Sequence, residues 1–439
     1  MSIETLRTTI RGGVLLPGDA EFERAAQPWN SAVTQSVAAV VEVADAPDIT
    51  AVLDYARRAG RVVVTQPTGH GATGDIDGAI LVRTRNFDNI AVDPERRVAR
   101  VGSGVRWGQV QAAAAAHGLA GLSGSNPVVG VTGYTLGGGF GWFARTYGWA
   151  SDAVRAVEIV DATGRPQRVT ADSDPDLFWA LRGGGGDFGI VTGVEFELVA
   201  LPRLYGGRVM WPVDRTGEVF ELFNELTADA PAELSVWLQR YAIPGAAPTV
   251  AIDFAYLGDP AEGRHLTRRL DTIGGHIADT RGELSPAEIG KITAEPTEPS
   301  PSLSRGELLT DLGDAVVKTL IDAPCAPLLN VQIRGLGGAL AQHRPDGGAR
   351  GPVAEPYALY LLGLGLPHLQ AGIADRFAEI LDALGPSVTG AKPYTFLAPG
   401  ESAAAAFDPA TLARLREIKR NRDPHNVIRA NFPVLDAVG

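Results

Sequence analysis

Among the residues of this 439-residue chain that could do chemistry, His70 has the most suggestive surroundings, Gln66-Pro67-Thr68-Gly69-His70-Gly71-Ala72-Thr73-Gly74. The stretch follows a β-branched run, Val62-Val63-Val64-Thr65, and reads as a strand entering a tight loop. Where glycines clear the side chains away, several backbone N–H groups can converge on a phosphate. An imidazole in such a loop sits beside whatever the phosphates carry. A Gly-His-Gly triplet alone is more often a solvated turn, so the functional reading of His70 rests on further loops of the same kind.

Other residue types offer less. His117, His265, His276, His343, His368 and His425 lack metal-type spacing, and no metal is expected. No Ser-His-Asp arrangement or phosphate-loop lysine is visible. The single cysteine, Cys325, lies between Pro324 and Ala326 without a neighbouring base or cation and reads as a buried or inert thiol.

The elements that must position His70 are those of a chain too long for one core, and two or three domains are expected. An apolar content of 45% fits a globular protein. No apolar run reaches the roughly 20 residues of a membrane helix. The N-terminus lacks the order of a signal peptide, which makes the cytoplasm the expected location. A net charge of −12, spread along the chain, argues against nucleic acid or anionic membrane as partner.

A helix is predicted from Asp48, with Ile49, Val52, Leu53 and Ala56 at helical spacing and Gly60 as its cap. Strand 62–65 and the His70 loop follow. Strand 98–101, a turn at Gly102-Ser103-Gly104 and a helix from Trp107 to Ala116 come next. The segment from Gly121 to Gly148 interleaves glycine with Val, Leu, Phe and Trp, which suits a loop packed against something flat rather than a linker. A hairpin is predicted over 154–170, and Asp174-Pro175 caps a short helix to Leu181. Gly183 to Gly189 then forms a third glycine loop entering strand 191–198. Three such loops point to one extended ligand touching all three. From about 203 to 391, strands (234–241, 250–257, 329–333, 357–366) alternate with helices (218–226, 262–273, 369–384), as in an antiparallel sheet with helices packed on it. The Pro, Glu and Ser-rich stretch Thr293–Ser304 reads as an exposed loop. A last helix spans Asp408 to Arg420.

Taken together, the loops resemble the berberine-bridge-enzyme-like and hydroxynicotine-oxidase-like branch of the vanillyl-alcohol-oxidase, PCMH-type flavoproteins. The resemblance is carried by Thr68-Gly69-His70-Gly71, by Val92-Asp93-Pro94 with Arg100-Val101-Gly102-Ser103-Gly104-Val105, and by Val129-Gly130-Val131-Thr132-Gly133-Tyr134-Thr135-Leu136-Gly137-Gly138-Gly139. Asp174-Pro175-Asp176-Leu177-Phe178-Trp179-Ala180-Leu181-Arg182-Gly183-Gly184-Gly185 and Asp423-Pro424-His425-Asn426 extend it through most of the chain.

That resemblance implies an α+β fold of two domains. An FAD-binding domain would cover residues 1–202, with 392–439 returning to it, and a substrate-binding domain, an antiparallel sheet with helices, 203–391. It implies FAD bonded covalently to His70 and held by Thr68, Gly69, Gly71 and Ala72; by Gly124, Ser125, Val129, Gly130, Thr132, Gly133, Gly137 and Gly141; by Gly189, Ile190 and Val191; and by Asn431. Many relatives add a cysteine tether; Ser125-Asn126-Pro127 stands there instead, so attachment through His70 alone is expected. A small residue matching Val129 leaves room for molecular oxygen and favours an oxidase. The sequence departs from the family at Gln66 and Pro67, at Leu362, where plant members carry a glutamate base, and at Lys392-Pro393-Tyr394-Thr395-Phe396, where Tyr-x-Asn is usual.

The expected activity is hydride transfer to FAD from an alcohol or amine carbon of a small or medium-sized secondary metabolite, with oxygen as final acceptor. For an alcohol, a tyrosine of lowered pKa could take the hydroxyl proton. Tyr394 is the first candidate and Tyr360 the second, each alternatively an aromatic core residue. Gln332 and Arg334 could orient substrate or simply lie at the surface, and Tyr134 could shape the pocket. The altered motifs leave two other readings open: a flavin-scaffolded cyclase or lyase, and a ligand-sequestering resistance protein. Oligomeric state is left open by the sequence.

Overall fold

The structure, a computed structural model, describes residues 2–435. Its strands form three main sheets. In the first, Gly13–Leu15 runs antiparallel to Ala39–Glu42. That strand, Ile80–Arg83, Val63–Thr65 and the C-terminal Ile428–Arg429 then lie side by side in parallel. In the second, Ile90–Asp93, Val98–Gly102, Ile190–Glu197, Val154–Val160 and Pro166–Val169 are antiparallel throughout. The third has eight strands drawn from residues 204–364. The fold is the mixed helix-and-sheet architecture expected of PCMH-type proteins. No described helix is long and apolar enough to cross a membrane.

Local signals set several boundaries. Helix Ala46–Ala59 starts two residues before the predicted Asp48, because Asp45 caps it by accepting from the Asp48 amide, and Gly60 closes it at φ 61°. The buried Asp48 carboxylate braces the chain around that helix start, accepting from the amides of Arg11, Gly12 and Ala44. Helix Pro175–Leu181 has Asp174 as its cap, the side chain accepting from Leu177 N. The predicted helix over 262–273 is α-helical only over Pro260–Leu266 and tightens to 3-10 geometry over Thr267–Thr272.

Two predicted loops gain structure. The Gly121–Gly148 segment contains helices Val131–Leu136 and Ala144–Tyr147, short turns whose sequences have little helical preference and which are held by packing. The end of the Thr293–Ser304 stretch enters strand Ser302–Leu309, and Thr293 is buried rather than exposed. Asn30 clips that strand's start, donating from Nδ2 to Ser302 O and accepting at Oδ1 from Ser302 N, each at 3.0 Å. Strand Leu204–Pro212, unpredicted because Gly206-Gly207 interrupts its apolar run, pairs with Thr249–Tyr256.

The large sheet divides its two faces by strict alternation. Val209, Trp211, Val236, Leu238, Ile252, Phe254, Ile333, Leu359 and Leu361 pack in one apolar core with helices Thr216–Ala228, Asp314–Asp322 and Gln370–Leu384. The intervening residues fall on the opposite face in register: Arg208 opposite Asp253, Asp253 opposite Trp237, Trp237 opposite Arg334, Gln239 opposite Gln332, and Gln332 opposite Tyr360. Burying this polar face requires partners. Arg208 donates to both Asp253 oxygens at 2.6 and 2.8 Å, Gln239 donates to Asp253, and Asn330 donates to Gln239.

Candidate functional site

The His70 loop is held from two directions. Val63–Thr65 delivers it from the parallel sheet, and Trp29 N donates to Thr68 O at 3.2 Å. The His70 ring stacks on Trp29, with centroids 4.4 Å apart and planes 13° from parallel. Its Nδ1 shares a 2.8 Å hydrogen bond with Thr68 Oγ1, while Nε2 is buried and has no partner among the described residues. Burial, with a smaller contribution from the Arg106 charge, pushes the imidazole pKa down to about 3, so the ring is neutral near pH 7. Gly69, at φ 79°, must be glycine, since a Cβ there would lie 2.8 Å from Pro28 Cβ.

The second loop meets the first. A Cβ on Gly130 would touch the Thr68 methyl at 3.5 Å, and one on Gly71 or Gly133 would meet no atom within 4 Å. Val129 O accepts from Trp107 N, and Thr132 Oγ1 donates to Ser103 O at 3.2 Å. Gly124 and Gly141 press together beside the Tyr134 ring, and Ser125 is buried next to them. Gly185 N donates to Leu136 O, joining the third loop to the second. Gly189 lies against Ile159, while the side chains of Ile190 and Val191 enter two different hydrophobic cores and their backbone pairs with Val160 and Ile159. Ala72 is buried in the first loop. Asn431, on the returning C-terminal segment, accepts from Gln66 Nε2 at 2.7 Å through Oδ1 and from Thr73 Oγ1 through its carbonyl. Gln66, a departure from the family pattern, therefore ties the His70 loop to the chain's end.

The two tyrosines differ. The Tyr394 hydroxyl donates to Phe432 O at 2.7 Å, and its ring lies against Gly137, Gly185, Phe407 and Phe432. Burial, reinforced by Asp187, raises its pKa well above the ordinary value. The expectation of a tyrosine with lowered pKa is thus reversed: Tyr394 is a packed hydroxyl committed to the backbone. Tyr360 stands on the polar face of the large sheet, its ring 4.9 Å from Phe396. Burial raises its pKa too, opposed by a hydrogen bond with Ser304 and by the Arg334 charge. Leu362, on the same face, lies opposite Asn330 and Ser304 and offers no base.

Gln332 and Arg334 are buried rather than at the surface. Their alternation along strand Leu328–Gly335 is readable in the sequence, but which face is covered is not. What covers it is the glycine-rich segment: Trp142 stacks on Trp237 at 3.7 Å, and Arg334 lies over Trp237 at 3.9 Å. The polar sheet face thus looks onto the glycine loops. Asn30, next to Trp29, fastens the His70 stack to the edge strand that carries Ser304.

The arrangement suits a flat group attached to phosphates. Gly71 and Gly133 leave open space for it, His70 Nε2 and Ser103 Oγ are buried without partners among the described residues, and the polar sheet face closes the other side. Comparison with known proteins agrees. A family described as "FAD binding domain" matches residues 37–170. The chain is similar to (R)-6-hydroxynicotine oxidase of Paenarthrobacter nicotinovorans, 29% identical with 97% of both chains covered. Among solved structures it resembles 6-hydroxy-D-nicotine oxidase from Arthrobacter nicotinovorans, with TM-score 0.86, 25% identity and 98% of each chain covered. It shares its fold with Physcomitrella patens BBE-like 1, with TM-score 0.86, 19% identity and 99% of each chain covered.

Proposed function

We propose that the chain is a vanillyl-alcohol-oxidase, PCMH-type FAD-linked oxidoreductase, as its similarity to the FAD binding domain family and to hydroxynicotine oxidase supports, and that it carries its flavin on His70 Nε2. It oxidises an alcohol or amine carbon of a small or medium-sized secondary metabolite, with oxygen as acceptor. The observation that carries this reading is the state of His70: neutral, oriented on both sides and bare at one buried nitrogen. Bound FAD supplies an acceptor for a hydride and a route for its electrons to oxygen.

The chain's residues do the rest. When Nδ1 carries the imidazole proton it donates to Thr68 Oγ1, which leaves the Nε2 lone pair for the tether. Cys325, the only cysteine, is buried where its sulfur contacts the carbonyls of Arg240 and Leu328, and Ser125 occupies the place of a second tether, so His70 attaches the flavin alone. Val129 presents a small side chain where oxygen is to approach. Residues 1–202 and 392–439 hold the cofactor, and 203–391 present Tyr360, Gln332 and Arg334 to the substrate. With its raised pKa, Tyr360 is protonated near neutrality and donates a hydrogen bond to the substrate oxygen or nitrogen.

Attachment of flavin should be nearly insensitive to acid. An ordinary imidazole of pKa about 6.5 loses roughly thirtyfold of its neutral form between pH 8 and pH 5. His70, with its pKa near 3, stays neutral across that range. Apoprotein mixed with FAD should therefore acquire acid-stable flavin at rates differing by less than about twofold over that interval. A roughly thirtyfold decline would contradict the buried neutral ring.

The activity is tested by mixing holoprotein, without oxygen, with a panel of cyclic amines and secondary alcohols that includes both 6-hydroxynicotine enantiomers. Loss of the oxidised flavin's visible absorbance, and peroxide on admitting air, are expected with at least one member. Product formed without either signal would move the protein to the cyclase or lyase class.

A further inference from the structure

On the polar face of the large sheet, the buried charges of Arg208 and Asp253 cancel each other. Arg334 has no such arrangement. It is 9% exposed, and no carboxylate among the described residues lies within ion-pair distance. Its only hydrogen bond among those residues runs from Nε to Gln332 Oε1, so both terminal nitrogens lack a protein acceptor there.

Three separate parts of the chain build a cage around this guanidinium. Trp237 of the sheet lies 3.9 Å from it, Phe396 of the returning segment 5.0 Å, and Phe140 of the glycine-rich segment 5.6 Å. Behind Trp237, Trp142 continues the stack. Aromatic faces attract a cation but accept no directed hydrogen bond. Burial lowers the pKa of Arg334 only to about 10, so the group remains charged. A desolvated cation with free N–H donors is costly unless an anion completes it. Glu295, the acid whose charge reaches it, is not in contact.

We propose that Arg334 is the anion anchor of the substrate pocket, and that the compound oxidised carries a carboxylate. Two free terminal nitrogens on a planar fork match the two oxygens of a carboxylate. Gln332 fixes the fork's roll, and the aromatic rings flank it on three sides. Tyr360, whose hydroxyl feels the Arg334 charge, faces the same region and is placed to meet a second polar group of the substrate. The inference rests on the oxidase reading for what happens to the anchored molecule, but the anion site itself does not depend on it.

The test uses holoprotein with benzoate, and with benzamide and benzylamine as its neutral and cationic counterparts. Binding is followed by perturbation of the flavin spectrum and, independently, by thermal shift. Benzoate should bind more tightly than either counterpart. Arg334→Met should weaken it by about tenfold or more, since a charged hydrogen bond is lost, and Arg334→Lys by less. Circular dichroism establishes that each variant is folded, and Arg334→Lys serves if Arg334→Met is not. Preference for benzylamine, or equal benzoate binding by wild type and Arg334→Met, overturns the proposal. So does a variant that alters the flavin spectrum or flavin content while leaving benzoate affinity unchanged, which would assign Arg334 to the cofactor. If the protein bears no flavin but benzoate still raises its melting temperature through Arg334, the oxidase reading fails and the anion site stands.

Discussion

Denatured in acid and separated on a gel, the His70→Ala variant should show no flavin fluorescence migrating with the chain, whereas the wild type should retain it. The effect is all-or-none, because Nε2 of His70 is the atom assigned to the bond and no cysteine stands in the second position. Trp29 and Thr68 would remain, so the loop keeps its shape and FAD can still bind by its other contacts. Turnover should nevertheless fall by roughly a hundredfold, the usual consequence of losing precise placement of a reacting group. Added FAD should restore occupancy but not this rate. Flavin that washes off the wild type under acid would refute the tether, and a variant with undiminished turnover would refute its importance.

The largest loss of stability should come from Lys419→Met. Lys419 is 1% exposed, and its ammonium donates to Asp423 Oδ2 at 2.7 Å, to Asp187 O at 3.0 Å and to Ile428 O. Asp423 in turn accepts from the amides of Val427 and Ile428, and Asp187 from those of Ala430 and Val434. One cation thus joins helix Pro409–Arg422, the last strand and the third glycine loop. Methionine fills similar volume but leaves buried carboxylates without their countercharge, a defect that costs about 3–5 kcal/mol. For a chain of this size the melting temperature should drop by roughly 3–5 °C. Flavin content should decline too, because Ile428–Arg429 pairs beside Val63–Thr65, the strand that leads to His70. A loss below about 1 kcal/mol would mean that the backbone amides alone support Asp423.

Much of this architecture is legible in the sequence because its signals are local. Asp174-Pro175 and Gly60 mark helix ends through their own side-chain and backbone chemistry, and alternation marks the strands of the large sheet. The glycine-rich stretches are legible as loops, but what fills them is not: Tyr134 lies against Gly124, Gly139 and Gly141, and Tyr394 against Gly137 and Gly185. What escapes is set at long range. Tyr394 reads as a candidate base until Phe432, 38 residues on, takes its hydroxyl. Arg334 reads equally as surface until Trp142 and Phe140 cover the face it stands on. Strand Leu204–Pro212 exists because its neighbours complete its hydrogen bonds, not because its glycines favour it.

The alternation of the large sheet has a consequence for how such a protein can change. Residues of one parity make the helix-packed core, and those of the other parity form the polar face that we propose meets the substrate, so on that reading selectivity and foldability occupy separate, interleaved alphabets along the same strands. A lineage could exchange Tyr360, Gln332 or Leu362 and arrive at a new substrate without touching a side chain of that core, which makes this surface the natural place for descendants to diverge.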